Sequence, residues 1–152
     1  MGLVVQKFGG TSVANIEKIK NVANKAICEK NAGHDVLVVL SAMSGETNRL
    51  IDLAHSAADS PDEREYDSLI STGEQVTITL LSIVLNAMGY RSRSFLGFQV
   101  RILTDNAYKK ARISLIDTDA IQKELKKGTI VVVAGFQGVD EDNNITTLGR
   151  GG

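Results

Sequence analysis

The chain holds 152 residues, 43% hydrophobic and 23% charged, and its 17 Lys+Arg against 18 Asp+Glu leave a net charge of -1. That balance is ordinary for a globular domain and excludes intrinsic disorder, while near-neutrality gives no electrostatic footprint for nucleic acid or an anionic membrane. A single cysteine, Cys28, cannot close an internal disulfide, and two histidines without a Cys partner cannot build a structural zinc site, so a cytoplasmic compartment is expected. At the N-terminus, Met1–Lys7 shows neither the basic region of a signal peptide nor the long apolar run of a membrane span. Short β-branched runs then alternate with longer segments of helical period, the pattern of a parallel sheet covered by helices. Leu3–Phe8 is a predicted strand ending at Gly9-Gly10. From Ser12 the stripe Val13, Ile16, Ile19, Val22, Ala23, Ala26 and Ile27 predicts a helix, which Gly33 closes as a left-handed cap. Val36–Leu40 is an uninterrupted Val/Leu run, as a central parallel strand carries. A helix over Thr47–Ala58 turns Leu50, Ile51, Leu53 and Ala54 inward, and polar Asp59–Asp67, with the lone proline Pro61, reads as a solvated loop. Helix resumes over Leu69–Met88. Strands follow at Ser92–Leu96, Val100–Leu103 and Arg112–Ile116, then a helix at Asp119–Lys127 capped by Asp117 or Thr118. Thr129–Ala134 is a strongly apolar strand ending at Gly135, Asp140–Asn144 a turn, and Ile145–Leu148 leads into Gly149-Arg150-Gly151-Gly152.

Chemistry is concentrated where these strands end. Lys7-Phe8-Gly9-Gly10-Thr11-Ser12 joins a strand to a helix, and its glycines let backbone amides approach an anion beside a lysine. It is neither a P-loop nor a Gly-x-Gly-x-x-Gly fingerprint, and locally it is equally a tight turn with a solvated lysine. Ser41, Ser44, Gly45 and Thr47 follow the second strand, residue types that also serve ordinary turns and caps. In Ser71-Thr72-Gly73-Glu74 the carboxylate stands among Val76, Ile78, Leu80 and Leu81, so it either faces solvent at a helix N-terminus or has a designated partner. Gly135-Phe136-Gln137-Gly138 and Gly149-Arg150-Gly151-Gly152 complete the set, with Arg150 able to grip a carboxylate or phosphate bidentately. Convergence of five such ends on one sheet edge suggests a site for a phosphorylated or nucleotide ligand together with a small acid. Other motifs fail. Asp140-x-Asp142-x-Asn144 has Ile145 where a calcium loop needs glycine, no nucleophile triad surrounds His34 or His55, and Cys28 beside Ile27 reads as a small buried hydrophobe.

Lys7–Val13, reading K-F-G-G-T-S-V, resembles the signature that opens aspartokinases, members of the amino-acid kinase family. V-V-L-S-A-M-S-G-E-T-N at Val38–Asn48, S-T-G-E at Ser71–Glu74, G-F-Q-G at Gly135–Gly138 and T-L-G-R-G-G at Thr147–Gly152 are similar to that family's successive blocks, in order. The resemblance implies an α/β fold, a three-layer αβα sandwich with a mainly parallel central sheet. It implies transfer of the ATP γ-phosphoryl group to the β-carboxylate of L-aspartate, the first step toward lysine, threonine and methionine. Lys7 would offset charge on the transferring group, and Gly9 and Gly10 would offer amides to the phosphates. Ser41 and Thr47 would hold aspartate, Glu74 its ammonium group, and Arg150, with Gly151 beside it, its α-carboxylate. Mg²⁺ would arrive held chiefly by the phosphates of ATP and water, with no protein metal ligand. The implied partners are L-aspartate and ATP, with no nucleic acid or membrane, and a homo-oligomer in the full-length protein. In the family the glycine block continues into Ser-Asp, whereas this sequence stops at Gly152. Residues 1–152 are therefore expected to be the N-terminal, aspartate-binding part, lacking the ATP-binding half and the ACT regulatory domains and inactive alone. Two alternatives are a non-catalytic nucleotide- or anion-binding module, which gives Glu74 no role, and another carboxylate kinase of the family.

Overall fold

The computed structural model describes residues 2–149. Arg150 and Gly151, two of the expected substrate-binding residues, lie outside the described residues. A parallel sheet forms the centre, in the order β1 (Leu3–Phe8), β2 (Asp35–Leu40), β6 (Ile130–Ala134), β3 (Ser92–Phe95). β6 is buried along its whole length, as the β-branched run predicts for a strand covered on both faces. Its alternate side chains divide the core. Ile130, Val132 and Ala134 join Val36, Val38 and Leu40 under two helices, α1 (Ile16–Asn31) and α4 (Thr72–Ala87). Val131 and Val133 face the opposite way, against Leu125 of α5 (Asp119–Lys126). Helices on both faces of one sheet make the three layers.

Between the expected elements the structure differs in instructive ways. The chain leaves β1 through a tight 3-10 turn at Gly10–Val13, and α1 starts only at Ile16, where the Asn15 side chain accepts the Lys18 N–H at 2.9 Å. Gly33 takes the expected left-handed conformation, φ +94°. Ile16, Leu53 and Cys28 are exposed, not inward, because each lies beyond the edge of its helix's apolar stripe. The expected solvated loop at Asp59–Asp67 is largely exposed as far as Glu65, but from Glu63 it is helix and it ends on a buried residue. Asp62 caps α3 (Glu63–Ile70) by accepting the Glu65 N–H, and Asp67 on that helix is fully buried. α3 packs on α2 (Glu46–Ala57) and runs through Ser71 into α4.

A second, mixed sheet lies beside the first, ordered β5 (Ile113–Ile116), β4 (Ile102–Thr104), β7 (Gln137–Val139), β8 (Ile145–Thr147). β7, too short and glycine-interrupted to show in the sequence pattern, pairs antiparallel with β8 across a turn organised by Asp140. The Asp140 carboxylate accepts the backbone N–H groups of Asp142 and Asn144, both at 2.9 Å, which explains the calcium-loop-like spacing as a turn.

The continuous helical stretch Glu63–Ala87 spans 25 residues and is long and apolar enough by composition to cross a membrane, but 50% of its apolar window is buried in the protein. Its Ile78, Leu81 and Leu85 pack into the main core, the role of a core helix. Leu81→Ala, at 0% exposure, should cost about 2–5 kcal/mol in urea unfolding. On the same helix Ile83→Ala, 62% exposed, should stay within about 0.5 kcal/mol. Equal losses would mean that the wrong face of α4 has been placed inward.

Candidate active site

Parallel pairing sets where the site lies. Phe8 partners Leu40 and Leu40 partners Ala134, so three strands end level with one another. Their outgoing loops open onto the carboxyl edge, where open α/β sheets bind ligands. A cleft of about 250 Å³ occupies that edge. Lys7 and Gly10 line it from the end of β1, Ser41 and Thr47 from the segment after β2, and Glu74 from the first turn of α4. Gly135 and Phe136 after β6 and Gly149 after β8 complete the wall. All five segments singled out in the sequence thus reach one cleft. Gly9 is not among its lining residues, although the adjacent Gly10 is.

Each wall segment is held by a specific contact. The Ser41 N–H donates to the Phe8 carbonyl at 3.2 Å, and the buried Thr77 hydroxyl donates to the Ser41 carbonyl at 2.8 Å, fastening the loop after β2 to α4. Gly10 and Gly73 have no room for side chains. A Cβ on Gly10 would stand 3.0 Å from the Ala42 carbonyl oxygen, and one on Gly73 2.8 Å from the Ala42 Cβ. These glycines therefore serve close packing of three loops, a use that stands beside the anion approach suggested by the sequence context of Gly10. Gly45, Thr47 and Asn48 line the cleft from the N-terminal end of α2, whose first-turn amides have no partners within the helix and carry partial positive charge. Phe136 stands at φ +71°, strained for an aromatic residue, and its carbonyl accepts the Leu148 N–H at 2.8 Å, tying the β6 loop to the strand leading to Gly149.

Charge in the cleft is asymmetric. Lys7 is exposed at its mouth, and among the described residues no carboxylate pairs with it. Glu74 is 2% exposed, and among the described residues its Oε1 has no hydrogen-bond partner. Burial pushes its carboxyl up to about 7, against the smaller opposing pull of the Glu74 and Ala42 backbone N–H groups. Glu124, also little exposed but less deeply set on the far side of the sheet, shows what partners do. Burial acts to raise it too, but bonds from Lys127 and Thr129, with Arg93 nearby, hold it below the usual carboxylate range. Among the described residues no such cation partners Glu74, so a ligand ammonium group would complete it. Among the described residues no group of three His, Cys, Asp or Glu side chains could hold a metal ion.

Thr77 and Gln137 were not legible as site-supporting residues. Thr77 lies one helical turn after Glu74 on the buried face, a hydroxyl where the stripe calls for an apolar group, and that mismatch was the available signal. Gln137 is 4% exposed, and its amide donates to the Ser71 carbonyl at 2.9 Å, just before Glu74's helix begins.

Comparison with known proteins places these features in a wider set. The family model described as the amino acid kinase family matches residues 2–152. The chain is 60% identical over 152 residues to an aspartate kinase of Pseudomonas putida and 56% identical to aspartokinase 2 of Bacillus subtilis, covering 100% of itself and 37% of each relative. It therefore spans little more than a third of the length of the curated relatives it matches. Among solved structures, aspartokinase III of E. coli in complex with aspartate and ADP superposes with a TM-score of 0.87 at 26% identity, over 99% of this chain and 44% of that one. The aspartate kinase of Synechocystis matches with a TM-score of 0.80 at 40% identity, over 99% of this chain and 24% of that one.

Glu74 gives the fold a measurable pH signature. Between its unfolded value, 4.5, and its folded value, about 7, the folded chain holds a proton that the unfolded chain has released. Stability therefore falls as pH rises across that window and levels off above it, by on the order of 3 kcal/mol. Glu74→Gln removes this slope. Urea unfolding of both proteins from about pH 4.5 to about pH 8 checks it, and parallel curves would show that Glu74 titrates normally.

Proposed function

The chain belongs to the amino acid kinase family, and on that premise we propose that it is the aspartate-binding part of an aspartate kinase. The reaction is transfer of the ATP γ-phosphoryl group to the β-carboxylate of L-aspartate. A β-carboxylate oxygen attacks the γ-phosphorus, the bond to the β,γ-bridging oxygen breaks, and 4-phospho-L-aspartate and ADP leave. That product would feed lysine, threonine and methionine biosynthesis. The observation that carries the reading is the buried Glu74 carboxyl, with one oxygen unpartnered among the described residues, on a residue that lines a cleft with a lysine at its mouth. A phosphate-binding module for simple anions has no use for such a group, whereas an α-amino acid supplies the ammonium that it lacks. The relatives named aspartate kinases support the choice of amino acid.

In this reading Glu74 accepts the ammonium of aspartate, Ser41 and Thr47 hold its carboxylates, and Arg150 with Gly151 takes the α-carboxylate. Lys7 offsets the negative charge that spreads over the transferring phosphoryl oxygens, and Gly9 and Gly10 offer backbone amides to the phosphates. Phosphoryl transfer asks mainly for positioning and charge neutralisation, so no protein nucleophile is needed. Mg²⁺ travels on the nucleotide, held by phosphate oxygens and water. The remaining length of the relatives carries, in this proposal, the ATP-binding half and the regulatory domains. The complete protein is a cytoplasmic homo-oligomer, and residues 1–152 alone do not turn over.

Two measurements on the complete enzyme test this. Lys7→Ala should lower kcat by about 10²–10³ in a coupled assay, as loss of one transition-state donor does elsewhere. A change under about threefold would remove Lys7 from the reaction. Binding of aspartate near pH 6.5 should release a proton, because an ammonium beside Glu74 favours its ionised form and draws its pKa down from about 7. Calorimetry in two buffers of different ionisation enthalpy reads that release. Proton-neutral binding, or aspartate affinity unchanged in Glu74→Ala, would overturn the assignment.

A further inference from the structure

Asp67 is the least exposed carboxylate described, at 0%, and among the described residues no Lys or Arg forms an ion pair with it. It is satisfied by three donors from two distant segments. Its Oδ2 accepts the Thr147 N–H at 2.8 Å, its Oδ1 accepts the Thr147 hydroxyl at 3.0 Å, and both oxygens accept the Lys109 N–H, at 3.0 and 3.1 Å. Lys109 lies in the left-handed region at φ +70°, sparsely populated by residues other than glycine.

The two ends of this clamp matter for the cleft. Asp67 lies near the end of α3 and Glu74 seven residues later on the first turn of α4, the two helices joined through Ser71. Thr147 is the last residue of β8, two before Gly149 of the cleft wall and three before Arg150. A second tie runs parallel to the first, since Gln137 stands opposite Thr147 in the β7–β8 pair and its amide donates to the Ser71 carbonyl.

We propose that Asp67 is a positioning residue, which ties the strand entering the Gly149-Arg150-Gly151-Gly152 run to α3, whose end leads through Ser71 into the helix that bears Glu74. The inference rests on the aspartate-binding reading, in which Glu74 and Arg150 grip the ammonium and α-carboxylate of one amino acid. A clamp between those two grips governs affinity for the amino acid and leaves the nucleotide side alone. A carboxylate is required because all of its partners are donors. The Asp67→Asn change would turn an amide N–H₂ toward at least one backbone N–H.

The test uses the complete enzyme with Asp67→Asn, Thr147→Val, which deletes only the hydroxyl donor, and Thr147→Ser, which keeps it. Asp67→Asn should raise KM for aspartate about tenfold or more while KM for ATP stays within about twofold. Thr147→Val should move the same constant about three- to tenfold, and Thr147→Ser should remain within about twofold of the parent enzyme. A rise in both KM values together, no rise in either, or Thr147→Ser behaving like Thr147→Val would each overturn the proposal. If Asp67→Asn does not fold, the two Thr147 variants carry the same decision. Amide hydrogen exchange without substrates separates this inference from the reading beneath it. In Asp67→Asn, or in Thr147→Val if that is the variant that folds, the Lys109 and Thr147 amides should exchange about tenfold faster or more. Unchanged exchange refutes the clamp, whereas a parent enzyme unable to phosphorylate aspartate refutes the activity alone.

Discussion

Everything at the candidate site depends on three parallel strands ending at one level. Because Phe8, Leu40 and Ala134 are in register, the backbones that leave β1, β2 and β6 turn away side by side. Antiparallel pairing would send alternate loops to opposite edges and scatter the same residues. The driving force for the register is apolar and lies elsewhere, in the Val and Ile side chains of β2 and β6 buried under α1, α4 and α5. The polar groups of the cleft contribute little to that burial. They are carried to the edge by a sheet that would form without them.

The fold tolerates one costly group there. Glu74 stands on the first turn of a core helix, where amides favour a negative charge, but deep enough that desolvation outweighs them. A satisfied Glu124 on the other face shows that the protein can bury a carboxylate comfortably when it surrounds it with donors and cations. The contrast separates a group built into the structure from a group left waiting for a ligand. The supporting bonds at Ser41, Ser71 and Thr147 fix backbone around that group, and none of them is made to its free oxygen.

Much of this is legible in the sequence. Val36–Leu40 and Thr129–Ala134 announce central strands by composition alone, and the ordered Gly, Ser/Thr, Glu and Lys residues mark which strand ends carry chemistry. What escapes does so for physical reasons. Asp67 sits in a run of acidic residues whose neighbours Glu63 and Glu65 are solvated, and nothing local distinguishes the one carboxylate whose donors arrive from residues 109 and 147. β7 is three residues with a central glycine, so it has no period to detect. Cys28, Ile16 and Leu53 read as inward because an apolar stripe taken from sequence is wider than the face that a neighbouring element covers. Burial of Glu74 is one of two open readings, since a helix N-terminus stabilises glutamate whether or not water reaches it.

The packing around Ala42 has a consequence for how the sequence can drift over time. Gly73 is kept small by a side chain, the Ala42 methyl, so a methyl at 73 becomes possible once position 42 loses its own. Gly10 is kept small by a backbone oxygen of the same residue, and no replacement at 42 removes that atom. Positions 42 and 73 are therefore free to change as a pair, while position 10 has no partner whose substitution could release it.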